Sequence, residues 1–236
     1  MSLARLPCIL VATVGLHKTW TAPDASTKAE QAPVTNIWDW FLHKVRDFTM
    51  PVKSVFWTIG FAEAAVILAN KYPAEPLSRH ILSTLMRSGR AEYLRLNRLA
   101  VAGVSLIGLG TLLRMYCYRA MKGFFTFDIS IRENHQLVTT GPYSVVRHPG
   151  YTGLSIVYIG LLCWHGAEGS WLRESGVLDT TSGIVMCGAL SAAMVSVLVG
   201  LLRRMSAEDA ALQKAFGPDW VEWSQRVPYT LIPGVY

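Results

Sequence analysis

Charge is scarce in this chain. Only 16% of its 236 residues are Asp, Glu, Lys or Arg, against about a quarter in soluble domains. Apolar residues make up 51% and mean hydropathy is positive, so the composition argues against a soluble domain. Cysteine is sparse in pattern as well as number. Cys8, Cys117, Cys163 and Cys187 lie far apart in apolar segments, without CxxC or Cys/His spacing. That supports neither a disulfide framework nor a zinc site, so no metal is expected and the four read as inert core thiols. The one GxG, Gly108 and Gly110, sits inside an apolar run with no preceding strand and no third glycine. It reads as helix packing and not as a nucleotide loop. Internal repeats, low-complexity tracts and heptads are also missing. The net charge of +6 is spread over loops beside apolar runs, which favours lipid headgroups over nucleic acid as partners.

What the chain does have is long apolar stretches with scattered glycine, the pattern of packed membrane helices. Crossing a hydrocarbon core of about 30 Å takes roughly 20 residues of helix. Four stretches are read as crossings: about Val52 to Ala69, Leu99 to Cys117, the shorter Tyr151 to Trp164, and Gly183 to Leu202. Glu63 lies inside the first and should face other helices or a polar cavity. Residues 6–16 are apolar but short: a signal-peptide core, an interfacial helix or part of a membrane helix. Retention is favoured, because the flanking region has only Arg5 and no obvious cleavage site. Residues 17–50 read as a solvated connection with an aromatic anchor at Trp38, Trp40 and Phe41, and 71–98 as a basic loop with helical stretches. With four crossings, residues 17–51 and the C-terminus share a side. That side carries the larger share of Lys and Arg and is expected to be cytosolic. Three regions follow: 1–50, an N-terminal segment with room for an extra membrane helix; 51–120, membrane helices and the basic loop; and 121–236, which holds the polar motifs.

Beyond the last crossing, Leu212, Phe216, Trp220 and Trp223 recur at helical spacing. The segment 206–225 is therefore amphipathic, broken at Gly217-Pro218, and suited to lie against a membrane face or over a cavity.

Two polar clusters flank the third and fourth crossings. In the first, Arg147-His148-Pro149 precedes a span, with Pro149 placed for the first helical turn. The free N–H groups of that turn and two cationic side chains would converge on a site for a carboxylate. Read alone, the tripeptide is equally a membrane-interface anchor with a cap. In the second, Arg203-Arg204 closes a span. Ser206 and Asp209 have the spacing of an approximate capping box for a new helix, and for this cluster alone that structural reading is the stronger.

Together the clusters carry a pattern: His135, Leu137 to Thr140, Gly141-Pro142-Tyr143, Arg147-His148-Pro149, Tyr151 and Gly153. After a hydrophobic hairpin it continues with Arg204, Glu208-Asp209, Leu212, Phe216-Gly217, Trp220 and Arg226-Val227-Pro228. This order resembles the isoprenylcysteine carboxyl methyltransferases and is similar to their relatives, the membrane phospholipid methyltransferases. The resemblance covers about residues 110–236. It departs at Asp209, where a second Glu is usual, at Gly150, where a small polar residue is usual, and in the N-terminal half.

The resemblance implies an all-α integral membrane protein: a multi-span helical bundle whose C-terminal amphipathic region covers a cofactor pocket at the cytosolic face. It implies S-adenosylmethionine as cofactor. Arg147 and His148 would orient the cofactor's carboxylate end, Tyr151 and Gly153 would line the pocket, and Gly153 would allow close approach. His135, Leu137 and Gly141 would surround the adenosyl portion with Tyr143 nearby. Glu208, beside Asp209, would meet the amino group or ribose. Arg204 would lie nearer the methyl acceptor, so that Arg204 and Glu208 are the catalytic candidates. The acceptor implied is the C-terminal carboxylate of S-prenylated cysteine, on lipidated proteins at the endoplasmic reticulum membrane. Phospholipid amines or another small hydrophobic acceptor are the nearest alternative. A non-catalytic lipid-binding or scaffold protein is a further one.

Overall fold

The computed structural model describes residues 3–21, 40–42, 44, 49–87, 91–125 and 136–235. Its helices are α1 (Arg5–Thr19), α2 (Thr49–Ala69), α3 (Pro76–Leu85), α4 (Arg98–Met121), α5 (Pro149–Gly166), α6 (Trp171–Glu174), α7 (Thr181–Phe216) and α8 (Pro218–Arg226). No strand occurs among the described residues. Three helices, α2, α4 and α7, are long and apolar enough to cross a membrane. The expected third crossing, α5, is a helix of 18 residues, diluted by Pro149-Gly150 at its start and His165-Gly166 at its end. The basic stretch 71–98 holds α3 and a short 3-10 turn at Ala91–Tyr93. Most of 17–50, with Trp38, falls outside the described residues.

Local chemistry explains where the helices begin. Proline occupies the first turn of α3, α5 and α8, where no N–H is needed. The Asn97 side chain accepts from the Ala100 N–H at 2.7 Å, and Thr180 Oγ1 from the Gly183 N–H at 3.1 Å, capping α4 and α7. One expectation is corrected. Ser206 does not cap a new helix: α7 runs unbroken for 36 residues through Ser206, Glu208 and Asp209. Residues 207–215 contain good helix formers and neither Gly nor Pro, so nothing stops propagation. The break comes at Gly217, which adopts φ +53°, followed by Pro218.

The chain divides into two units. The first comprises Met1–His17, Met50–Leu109 and Ile156–Met194. Within it α4 and α5 touch at Gly103 and Gly160: a Cβ on Gly103 would lie 2.6 Å from the Trp164 nitrogen, and one on Gly160 2.7 Å from the Gly103 oxygen. Glu63 is buried, as its place in a span requires, and its partner is Arg5 of α1. Arg5 also donates to the Arg95 carbonyl (2.8 Å) and lies 4.3 Å from the Trp164 ring centroid. The thiols are free; Cys117 is buried, whereas Cys8, Cys163 and Cys187 are half-buried.

The second unit comprises Lys18–Thr49, Gly110–Ser155 and Val195–Tyr236. Its organising residue is the buried Arg114 of α4. Its guanidinium donates to the Thr19 carbonyl at 3.1 Å, to the Gly150 carbonyl at 2.8 Å and to Tyr118 Oη at 2.9 Å. This fixes the start of α5 against α4.

Candidate active site

The first turn of α5 meets the last third of α7. Arg147 Nε lies 3.3 Å from Asp209 Oδ2, and His148 Nε2 lies 3.1 Å from Asp209 Oδ1. For that contact to be a hydrogen bond, the imidazole carries its proton on Nε2. Tyr151 Oη donates to Glu208 Oε2 at 2.7 Å. His148 Nδ1 is 3.8 Å from the same oxygen, too far for a hydrogen bond. The His148 and Tyr151 rings stack in parallel, with centroids 5.4 Å apart and planes 4° apart. Both carboxylates are thus held by donors from one helical turn. Arg204, one turn before Glu208 on the same helix, is buried.

The carboxylate expected between Arg147 and His148 is therefore supplied by Asp209 itself. The backbone donors differ from expectation too. The Arg147 N–H bonds the Tyr229 carbonyl and the His148 N–H the Thr230 carbonyl, both at 2.9 Å. The Tyr151 and Thr152 N–H groups turn back to the His148 carbonyl. Thr152 Oγ1 then donates to the Leu231 carbonyl at 2.8 Å, and Arg147 Nη2 to Thr230 Oγ1 at 3.4 Å. The C-terminal segment 229–231 straps the turn in place.

Beside this polar cluster lies an apolar one. Cys117, Tyr143, Trp223 and Val227 form its buried part, with Leu137, Val138 and Trp220 packed against it. Trp223 Nε1 donates to the Tyr143 carbonyl at 3.1 Å. Tyr143 sits in a 3-10 turn, Gly141–Ser144. Gly141 opens that turn at φ +63°, where a side chain would be strained, and a Cβ there would lie 3.1 Å from Tyr116 Oη and press it aside. Burial holds the Tyr143 phenol well above its usual pKa, and the negative charge of Glu208 pushes the same way.

The structure brings together Arg147, His148, Tyr151, Glu208 and Asp209, and places Leu137 with Tyr143 in the adjoining cluster. His135 lies outside the described residues. Gly153 makes a close approach to helix α4, where a Cβ would lie 2.8 Å from Arg114 Cγ and 2.9 Å from the Gly110 oxygen. Absence of a side chain there lets α5 pack against α4. The site selection missed Trp220, whose buried Nε1 has no hydrogen-bond partner among the described residues. It missed also the strap at 229–231. The Trp220-x-x-Trp223 spacing was visible as an amphipathic face, but periodicity does not reveal an unsatisfied donor. The orphaned donor beside Leu137 and Val138, next to paired acids and bases, fits a ligand that is polar and aromatic in one part and zwitterionic in another. S-adenosylmethionine has that chemistry.

By fold and site this is a membrane-spanning helical protein whose polar cluster is built from an acidic pair on a long helix and an Arg-His-Tyr turn. Residues 99–172 match the family model described as phospholipid methyltransferase. The chain is 32% identical over 130 residues to the protein-S-isoprenylcysteine O-methyltransferase B of Arabidopsis thaliana, covering 53% of this chain and 55% of that one. It is 24% identical over 129 residues to a probable protein-S-isoprenylcysteine O-methyltransferase of Oryza sativa subsp. indica (53% and 56%). Identity is 31% over 130 residues to the cobalt-zinc-cadmium resistance protein CzcN of Cupriavidus metallidurans (55% and 46%). The chain spans about half the length of the curated relatives it matches. Over these matched stretches the chain is similar to protein-S-isoprenylcysteine O-methyltransferases and to the phospholipid methyltransferase family model.

Proposed function

We propose that this chain transfers a methyl group from S-adenosylmethionine to the C-terminal carboxylate of S-prenylated cysteine on lipidated proteins, at the cytosolic face of the endoplasmic reticulum membrane. The observation that carries the proposal is the junction of Arg147, His148 and Tyr151 with Glu208 and Asp209, in a chain 32% identical to a protein-S-isoprenylcysteine O-methyltransferase over the matched region.

Bound at this cluster, the cofactor would supply a methyl group activated on a sulfonium. Arg147, whose guanidinium has donors beyond the Nε that faces Asp209, would take its carboxylate, Asp209 would orient His148 beside it, and Glu208 would face its cationic groups. Trp220 would offer its indole N–H, and Leu137 with Val138 an apolar wall. Arg204, buried one turn from Glu208, would bind the acceptor carboxylate. A carboxylate acceptor needs no general base, and Tyr143, kept neutral by burial, is not suited to be one. The chain's contribution is alignment of the reacting groups and exclusion of water.

Membranes carrying the protein, incubated with methyl-labelled cofactor and a farnesylated cysteine analogue, should yield a base-labile methyl ester. Label in phosphatidylethanolamine derivatives instead would move the acceptor to phospholipid amines. No base-labile ester would sink the carboxylate assignment. Arg147→Ala and Glu208→Ala should each weaken direct cofactor binding; if neither does, the site assignment fails.

A further inference from the structure

The first unit contains a cavity of about 630 Å³ that shares no residue with the polar site. Its walls are Phe56 and Ile59 of α2, Leu162 of α5, Leu178 before α7, and Met186 and Leu190 of α7. The volume lies within the range of about 300–1,000 Å³ typical of ligand pockets. Two of the three hydroxyls that line it are already used: Ser54 donates to the Met50 carbonyl at 3.0 Å and Thr58 to the Ser54 carbonyl at 2.9 Å, which leaves Ser191 among apolar walls. The surface offered is therefore almost wholly hydrocarbon.

Three physical points fix what fills it. Buried water needs two to four polar partners, and these walls offer few. An empty space of this size forfeits the dispersion contacts of every side chain around it. The cavity is bounded by α2 and α7, both read as membrane-spanning, and only 11% of the most apolar stretch of α7 is buried. Hydrocarbon chains are thus the medium at its walls. A fourth feature gives the occupant a headgroup. Arg173 also lines the cavity and is exposed. Its guanidinium donates to the Gly166 carbonyl at 3.1 Å, a neutral partner that leaves its charge and remaining donors available to a phosphate.

We propose that this cavity is a binding site for one anionic phospholipid, with an acyl chain between α2, α5 and α7 and the phosphate on Arg173. The site is independent of methyl transfer and separate from the acceptor position near Arg204. The lipid completes the packing of a helix that the chain itself covers thinly.

The full chain, purified in mild detergent and examined by native mass spectrometry, should retain one phospholipid. After exchange into nanodiscs of phosphatidylcholine with a minority of phosphatidylglycerol, the retained lipid should be enriched in phosphatidylglycerol. Leu190→Trp, which fills the cavity, should abolish retention while leaving S-adenosylmethionine binding intact, and that binding serves as the folding control. Arg173→Gln should keep a lipid but lower the preference for the anionic headgroup about fivefold. Absence of a retained lipid in the wild type, or equal retention in Leu190→Trp, overturns the proposal. Displacement of the lipid by a farnesylated cysteine analogue overturns it too, because the cavity would then be an acceptor subsite. Apart from the displacement arm, these outcomes do not depend on which methyl acceptor is assigned.

Discussion

Asp209 is the residue at which the two halves of the site meet. Its two oxygens face Arg147 and His148 separately, at 3.3 and 3.1 Å. The position takes a Glu in the related pattern, and the shorter Asp here still reaches both partners. The His148 contact is a charge-assisted hydrogen bond, a type that contributes about 1.5–3 kcal/mol when intact, the Arg147 contact adds an ion pair, and Asp209 is only 16% exposed. Asp209→Asn should therefore lower the thermal midpoint in detergent and weaken S-adenosylmethionine binding by about tenfold or more. Asp209→Glu should restore most of both, and an equal loss in the two variants would show that shape and not charge matters. Tyr143 supplies a pH test. Its phenol is held well above the usual value of about 10, first by burial. Above that value the unfolded chain loses the proton while the folded chain keeps it. Stability is thus full below about pH 10 and declines as pH rises further. Tyr143→Phe, which spares the carbonyl bonded by Trp223, should flatten the fall in thermal midpoint between about pH 9 and 11.

At the level of whole helices, α4 and α5 approach so closely because glycine faces backbone. With Gly103 and Gly160 in contact, a methyl group on either meets backbone atoms under 3 Å away, and backbone cannot rotate aside. Gly160→Ala should cost about 1–3 kcal/mol as overpacking, read as a lower unfolding midpoint in a steric-trap or detergent titration. Gly166→Ala is the control, since a Cβ there meets nothing within 4 Å. Helix α7 carries the other lesson. Its 36 residues extend about 54 Å, against a hydrocarbon core of about 30 Å. Its last turns therefore project beyond the core, which carries Glu208 and Asp209 into the aqueous boundary. The sequence pattern marked a stop at Ser206, because Ser, Glu and Asp are also the residues of helix starts. Only the continuation of good helix formers to Phe216 tells the two apart. Three of the four expected apolar spans were legible because hydrophobic length reports the capacity to cross a membrane directly, whereas the shorter Tyr151 to Trp164 stretch falls in α5, which is not among the helices long and apolar enough. The strap at Tyr229 to Leu231 was not, because its bonds to residues 147–152 run through backbone and leave no mark in side-chain pattern.

Across the molecule, the least legible feature is the pairing of Arg5 with Glu63. The sequence pointed Glu63 toward other helices or a polar cavity, and it showed Arg5 as a lone basic residue beside a short apolar run. Nothing local links residues 58 positions apart. In the fold Glu63 is 2% exposed, and Arg5 is fully enclosed by Glu63, the Arg95 carbonyl and the Trp164 ring. The pair joins α1 to α2 and ties both to the segment before α4. Two charges in such a place are costly to desolvate, and their attraction offsets that only while both are present. Glu63→Gln leaves a buried guanidinium with no counter-charge and should destabilise by about 3–5 kcal/mol, the usual cost of breaking a buried pair. Arg5→Met alone should do the same through the stranded carboxylate. The double variant Arg5→Met with Glu63→Leu removes both charges and should recover most of the loss. Thermal unfolding of the four proteins in one detergent gives the coupling directly. Additive losses would mean that α1 is held by its apolar face alone, and that the ion pair fixes no part of the helix arrangement.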